Sequence, residues 1–236
     1  MALEARNDPA QIKAMFADIA RRYDLNNRLH SLFCDQAWRR KMVRAAGIRD
    51  GESVLDVACG TGDVAAMFAK HGAGRVVGLD FCGPMLEIAR RKSHRLRIEW
   101  IEGDAMAMPF ADREFDIVVV AFGLRNMPDL ARALCDFRRV LKPGGRLVVL
   151  EFHPARRGML GRLLRLYLQG IMPRTAAWIA HDRTGAYRHL ADSVQSFVTA
   201  EELAGMIAAA GFEDVRSERL TFGVAAVHRA VVRALS

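Results

Sequence analysis

The sequence predicts an α/β fold. It would be a mostly parallel seven-stranded sheet with crossover helices, ending in an antiparallel C-terminal hairpin, with an N-terminal helical cap and a helical insertion. Three observations carry this expectation. Between residues 53 and 152, short β-branched runs alternate with stretches of helical periodicity, the pattern of strand–helix–strand crossovers. Runs such as IVVV and LVVL lack polar alternation, as strands covered on both faces do. Near the C-terminus, two strand-like stretches flank a short turn containing glycine.

Residues 1–50 read as the helical cap. Ala10, Met15, Phe16, Ile19 and Ala20 recur at helical spacing, and a second amphipathic stretch runs from about Gln36 to Ala46 before Gly47 and Gly51 interrupt it. Residues 51–152 form the core, with strands at Val54–Ala58, Arg75–Leu79, Leu96–Ile101, Phe115–Ala121 and Arg146–Phe152. Helices are expected near 62–71, 83–92 and 128–140. In residues 153–199 basic, apolar and aromatic residues mix and strand patterning is lost, so this reads as an insertion over the sheet. Residues 200–236 resume with a helix over about 200–210 stopped by Gly211, then strands Glu213–Leu220 and Val224–Val232 around Thr221-Phe222-Gly223. No repeat or low-complexity linker divides the chain, so residues 1–236 are expected to form a single domain.

Composition narrows the class. A chain of 236 residues with 51% hydrophobic and 26% charged residues is ordinary globular material, which excludes disorder and fibre. Cys34, Cys59, Cys82 and Cys135 form no C-x-x-C pair and have no histidines at zinc spacing, so inert thiols in a reducing, cytoplasmic setting are expected and no metal site. The excess of 35 Lys+Arg over 27 Asp+Glu gives +8. That balance suits nucleic acid, an anionic membrane surface or an acidic ligand, and equally a solvated arginine-rich surface. The longest nearly uninterrupted apolar run, Ile117 to Leu124, falls far short of the ~18 residues of a membrane span, and the N-terminus carries no apolar signal core.

The chemistry concentrates at VLDVACGTGD, Val54 to Asp63, where the first strand runs into a helix. Gly60 and Gly62 permit a sharp turn and close approach of a ligand to the backbone, and the following helix N-terminus favours anions. Gly60-x-Gly62-x-x-Ala65 with Asp80 satisfies a loose dinucleotide pattern. Asp56 argues for S-adenosylmethionine instead, because a carboxylate suits an ammonium better than a pyrophosphate. Asp104, in Gly103-Asp104-Ala105 after the third strand, adds an acceptor for an adenine amine. Met85, Met106 and Met108 supply apolar packing for the ring or fill the core. Acids thus recur at the ends of three strands, where open α/β sheets bind ligands, although Asp56 and Asp80 are also suited to capping helices.

Beyond that loop the sequence resembles the ubiquinone/menaquinone biosynthesis C-methyltransferases of the UbiE type, within the class I S-adenosylmethionine-dependent methyltransferases and their Rossmann-like fold. The residues that carry the resemblance are MFADIARRYDLNNRLHS with Trp38 and Arg39, VLDVACGTGD, VVGLD with Met85, GDAMAMPF, FGLRNM, RVLKPGGRLVVLEF, YRHLADSV, AGFEDV and GVAAVHR, in the family's order from Phe16 to Arg229. LKPGG marks only the broad class, whereas FGLRN, LEF and YRHLADS narrow it. The resemblance implies that Thr61, Asp80, Asp104 and Ala105 line the cofactor site. It also places Ala121 there, at a position where the family often carries serine, and assigns catalytic function to Arg125 and Asn126. It further implies that Tyr23 and Asp24 cap the pocket.

The implied reaction is C-methylation of a prenylated naphthoquinol or benzoquinol. A ring carbon becomes nucleophilic when a neighbouring hydroxyl loses its proton, and a phenol of pKa about 10 is ionised to only about one part in a thousand at pH 7, a gap of roughly 4 kcal/mol. Arg125, with a guanidinium that stays protonated, reads as a phenolate stabiliser rather than a base. Water, Tyr23, Glu151, His153 and His181 are all open as proton acceptors. Ala155 to Arg174 combines apolar residues with Arg156, Arg157, Arg162, Arg165 and Arg174, which suits peripheral contact with an anionic membrane or a lid or homodimer face. The competing activities are methylation of another small phenolic or hydrophobic substrate and nicotinamide-dependent reduction. No Asp/Asn-Pro-Pro-aromatic tetrapeptide or basic–aromatic stripe supports a nucleic-acid partner.

Overall fold

The fold is seen in a computed structural model that describes residues 9–31, 34–154, 170 and 186–234. The segment Ala155–Arg174, Gly170 apart, and His181 lie outside the described residues, as does the side chain of Tyr23. Helices α1 (Pro9–His30) and α2 (Cys34–Ala46) precede the sheet. The core then alternates β1 (Ser53–Val57), α3 (Asp63–Lys70), β2 (Arg75–Asp80), α4 (Gly83–Lys92), β3 (Glu99–Glu102) and β4 (Phe115–Ala121). A 3-10 turn (Leu124–Asn126) leads to α5 (Leu130–Val140) and β5 (Leu141–Phe152), and the described chain resumes with α6 (Ala186–Ser196), α7 (Ala200–Ala209), β6 (Glu213–Leu220) and β7 (Ala225–Val231).

The seven strands run in the order β3-β2-β1-β4-β5-β7-β6. β1 to β5 pair in parallel, whereas β7 is antiparallel to both β5 and β6. Strand order therefore reverses direction between β1 and β4, and open α/β sheets bind ligands beyond the carboxyl ends of strands at such a point. Alternation sorts the strand residues onto two faces. Leu55, Val57, Leu79, Val118 and Val120 pack with Leu134 and Phe137 of α5 and Leu203 of α7. Val54, Ile117, Val119 and Val148 pack with Met42 of α2 and Phe68 of α3.

Two strand boundaries differ from the sequence expectation by more than one residue. β3 begins at Glu99 rather than Leu96, because the Leu96 amide donates to Ser93 O at 2.7 Å and the chain is still leaving α4 there. β5 begins at Leu141, which pairs with Phe115 across a register shift that absorbs the glycine turn, with Gly144 at φ +75°. Tight packing explains other glycines. A Cβ on Gly78 would lie 2.3 Å from the Trp100 ring, and one on Gly62 equally close, so a single indole requires glycine in both β2 and the loop after β1. Among the described residues no helix is long and apolar enough to cross a membrane.

Where β5 and β7 pair, two histidines lie buried together, His153 just after β5 and His228 within β7. His153 Nδ1 lies 2.9 Å from Val198 O, which can only accept, so that nitrogen carries the hydrogen in the neutral ring. His153 Nε2 then accepts from His228 Nε2 at 3.1 Å, and His228 Nδ1 accepts from Ser217 Oγ at 2.7 Å. Burial lowers the pKa of both rings, and the neighbouring His153 helps push His228 to about 4. The unfolded chain takes up protons on these rings near 6.5 and the folded one only at lower pH. Their stabilising contribution is therefore whole above pH 6.5 and declines as pH falls towards 4, by on the order of 3 kcal/mol for His228. Urea unfolding of wild type and His228→Gln should show this loss in the wild type and a flatter dependence in the variant. Parallel curves would refute the assignment.

Candidate active site

A cavity of about 260 Å³ opens at the switch point. Ala58 and Gly60 follow β1, Leu79 to Phe81 end β2, Gly103 to Met106 follow β3, and Ala121 to Gly123 end β4. Met85 of α4, Asn126 of the 3-10 turn with Met127 and Pro128 after it, and Ile12 and Phe16 of α1 complete the wall. α1 thus covers the site, with Ala20 packed on Cys82 and Met85 and Lys13 paired to Glu102 at 2.7 Å. Gly123 is required for closeness, since a Cβ there would stand 2.5 Å from that of Ala58.

The expected residues divide into those on the cavity wall and those behind it. Gly60, Asp80, Met85, Asp104, Ala105, Ala121 and Asn126 line the cavity. Asp80 is fixed from both sides: Oδ2 accepts the Gly60 amide at 2.7 Å and Oδ1 the Cys82 amide at 2.9 Å. Burial raises its pKa, and these amides oppose the shift by stabilising the anion. Asp104 is exposed, its Oδ1 accepting the Met106 amide at 2.8 Å.

Asp56, Thr61, Gly62 and Arg125 are not among the wall residues. Strand alternation puts Asp56 on the same face as Val54, beneath α3 rather than towards the cavity. There its Oδ2 accepts the Ala65 amide at 2.9 Å, a cap for a helix whose N-cap residue, Gly62, has no side chain to supply one. Burial pushes its pKa up to about 7. In this structure Asp56 caps α3 through Oδ2. Thr61 is also engaged elsewhere, since its Oγ donates to Asp24 Oδ1 at 2.6 Å. Lys92 Nζ joins Asp24, Thr61 and Asp63, latching α1 to the glycine loop.

Arg125, expected to face the transferred methyl, is not among the residues that line this cavity. Nη1 donates to Phe122 O and pairs with Glu151 Oε1 at 2.8 Å, and Nε donates to Ser193 Oγ of α6 at 3.3 Å. Glu151 is fully buried and also accepts the Arg125 and Phe152 amides. A charge in that position needs such compensation. Phe122, held at φ +60°, stacks on Phe152 with centroids 4.5 Å apart, and Trp38 packs edge-on to Phe152. Of the proposed proton acceptors, Glu151 is consumed by this ion pair and both ring nitrogens of His153 are engaged.

Three buried polar atoms on the 3-10 turn and α6 have no partner: Oδ1 of Asn126, Nε2 of His189 and Nε2 of Gln195. Sequence reasoning passed over His189. The signal was its spacing of four from Ser193 within YRHLADSV, which places both on one face of α6. Among the described residues no cluster of three or more His, Cys, Asp or Glu could hold a metal ion.

Comparison with known proteins supplies the rest. The model of the ubiE/COQ5 methyltransferase family matches residues 4–232. A demethylmenaquinone methyltransferase of Thermus thermophilus is 50% identical over 217 residues, covering 91% of this chain and 98% of its own length. A ubiquinone/menaquinone biosynthesis C-methyltransferase of Edwardsiella ictaluri is 39% identical, covering 95% and 92%. Among solved structures, a SAM-dependent methyltransferase of Thermotoga maritima aligns with TM-score 0.67 at 20% identity over 92% of this chain and 98% of its own, a likeness of fold. With the family's model matching from the N-terminal cap to the last strand of a seven-stranded methyltransferase sheet, the chain belongs to the ubiE/COQ5 methyltransferase family.

Proposed function

We propose that this methyltransferase transfers a methyl group from S-adenosylmethionine to a ring carbon of a prenylated quinol, with demethylmenaquinol the leading acceptor. The observation that carries the methyl-donor half is the acid-rimmed cavity at the switch point. Its chemistry fits the donor. Asp80 presents oxygens already oriented by two amides, each with a second lone pair for a ribose hydroxyl. Leu79, Phe81, Met85 and Met106 offer an apolar slot for adenine, with Asp104 and Ala105 at its edge. The acids favour a cationic ligand over a pyrophosphate. The acceptor half is supported by the names of the relatives, which specify demethylmenaquinone at 50% identity and both quinones at 39%.

S-adenosylmethionine supplies an activated methyl on a sulfonium. The chain's residues position and exclude water. α1, latched by Asp24, Thr61 and Lys92, roofs the cavity, and with Tyr23 beside Asp24 residues 1–50 act as its cap. Gly60 and Gly62 shape the loop, and Asp56 holds α3 beneath it. The Ala121 backbone serves at the end of β4, on the cavity wall. Asn126 presents its side-chain amide to the acceptor, and Arg125 is a positioning residue that braces the turn through Glu151.

A prenylated acceptor resides in a bilayer, so the enzyme works at the inner face of the cell membrane. The net charge of +8 and the arginines within 155–174, part of the insertion 153–199, support contact with anionic lipid. The apolar residues of the same segment also suit a homodimer face. Cap, core, insertion and hairpin together serve one site and read as one domain. The test is methyl transfer from labelled S-adenosylmethionine to short-chain demethylmenaquinol and to the matching benzoquinol. Turnover with either quinol, greater with the first, is expected. Inactivity with both would refute the reading.

A further inference from the structure

We propose that His189 is the general base of the methylation, its Nε2 taking the proton from the quinol hydroxyl beside the ring carbon that receives the methyl. This rests on the quinol reading above.

α6 packs against the 3-10 turn Leu124–Asn126 and against α1, two elements that wall the cavity. The face it turns to the 3-10 turn is fixed by Ser193, whose Oγ accepts Arg125 Nε. His189 stands four residues earlier and shares that face. Its Nε2 is buried without a hydrogen-bond partner, and so is Oδ1 of Asn126 on the cavity wall. Folded proteins leave few buried polar atoms in this state, and each calls for an explanation. Gln195 Nε2 on α6 is orphaned as well, and His189 stands behind the wall residues rather than among them; an acceptor molecule bearing hydroxyls that reached past Asn126 would partner both Asn126 and His189.

The imidazole is also in the right form. Burial and the Arg125 charge both lower its pKa, opposed only by Asp192 of its own helix, so the ring is neutral at pH 7 and offers a lone pair. Glu151 faces Arg125, with which it is ion-paired at 2.8 Å. Chemically, the hydroxyl proton passes to Nε2. The ring carbon then forms a carbon–carbon bond with the methyl, while the methyl–sulfur bond breaks and leaves its electron pair on sulfur. The dienone so formed loses its ring proton to water, and its oxygen recovers the proton held by His189. One proton is released overall, and the imidazole returns neutral.

The test uses the full chain with short-chain demethylmenaquinol. His189→Gln should lower kcat by roughly 10²-fold with affinity for S-adenosylhomocysteine unchanged. The acid limb of the wild-type pH profile, below the ordinary imidazole value of 6.5, should vanish in this variant. Added imidazole should restore part of the rate of His189→Ala. Independently of turnover, the ¹⁵N resonance of His189 Nε2 should shift when quinol binds the wild-type complex with S-adenosylhomocysteine, which has no methyl to give. A His189→Gln variant with wild-type kcat and pH profile would overturn the proposal, as would an Nε2 resonance indifferent to quinol. Wild-type protein that methylates no quinol would instead overturn the substrate reading and this proposal with it.

Discussion

Replacing Glu151 with alanine should cost about 3–5 kcal/mol of stability, the range seen when one partner of a buried ion pair is removed. Both side chains are almost wholly enclosed, at 4% exposure for Arg125 and 0% for Glu151. The alanine would strand a guanidinium in the interior and leave the Arg125 and Phe152 amides without their acceptor. Arg125→Ala should cost a similar amount by stranding the carboxylate. A paired replacement, Arg125→Met with Glu151→Leu, should recover part of that stability, because removing both charges also removes their desolvation cost, while the two amides stay without their acceptor. Urea unfolding of the wild type and the three variants measures these differences. Single-variant losses below about 1 kcal/mol would mean that the pair behaves as an exposed one and contradict its buried placement. The paired variant separates folding from function, since it should still lose activity as the turn bearing Asn126 loses its brace.

Asp80→Ala should weaken binding of S-adenosylhomocysteine by roughly 10- to 100-fold, the equivalent of about 1.5–3 kcal/mol for hydrogen bonds to a charged group. Asp80 is the wall acid whose two oxygens are both held by backbone amides. Its folded pKa lies above the ordinary carboxylate value because of burial. Ionisation is therefore a cost to the unliganded protein at neutral pH, and stability should change far less than affinity. For the same reason affinity in the wild type should decline as pH falls through the raised pKa, and Asp80→Ala should lack that decline. Calorimetric titration across pH decides it. Equal affinities for wild type and variant would remove Asp80 from the cofactor site.

What could be read in the sequence follows from how far each interaction reaches along the chain. β4 is legible at Phe115–Ala121 because a strand buried on both faces writes itself as a continuous apolar run. The start of β3 is not legible, because Leu96 is apolar and only its turn hydrogen bond to Ser93 keeps it out of the sheet. Asp80 and Asp104 sit at strand ends, where position along the strand alone carries them to the cavity. Asp56 lies within a strand, so the face it takes depends on register, and that register sends it under α3. Thr61 and Arg125 are directed by partners 37 and 26 residues away, Asp24 and Glu151, which no local pattern announces. The orphaned Nε2 of His189 is likewise a property of packing, visible only once α6 lies against the turn.

The central claim is transfer to carbon rather than to oxygen. Incubating the protein with S-adenosylmethionine carrying a ¹³C methyl and short-chain demethylmenaquinol, then recording the ¹³C spectrum of the product, tests it directly. The account predicts one new aryl-methyl resonance on the ring carbon next to a hydroxyl. A methoxy resonance, or no labelled product, would contradict it.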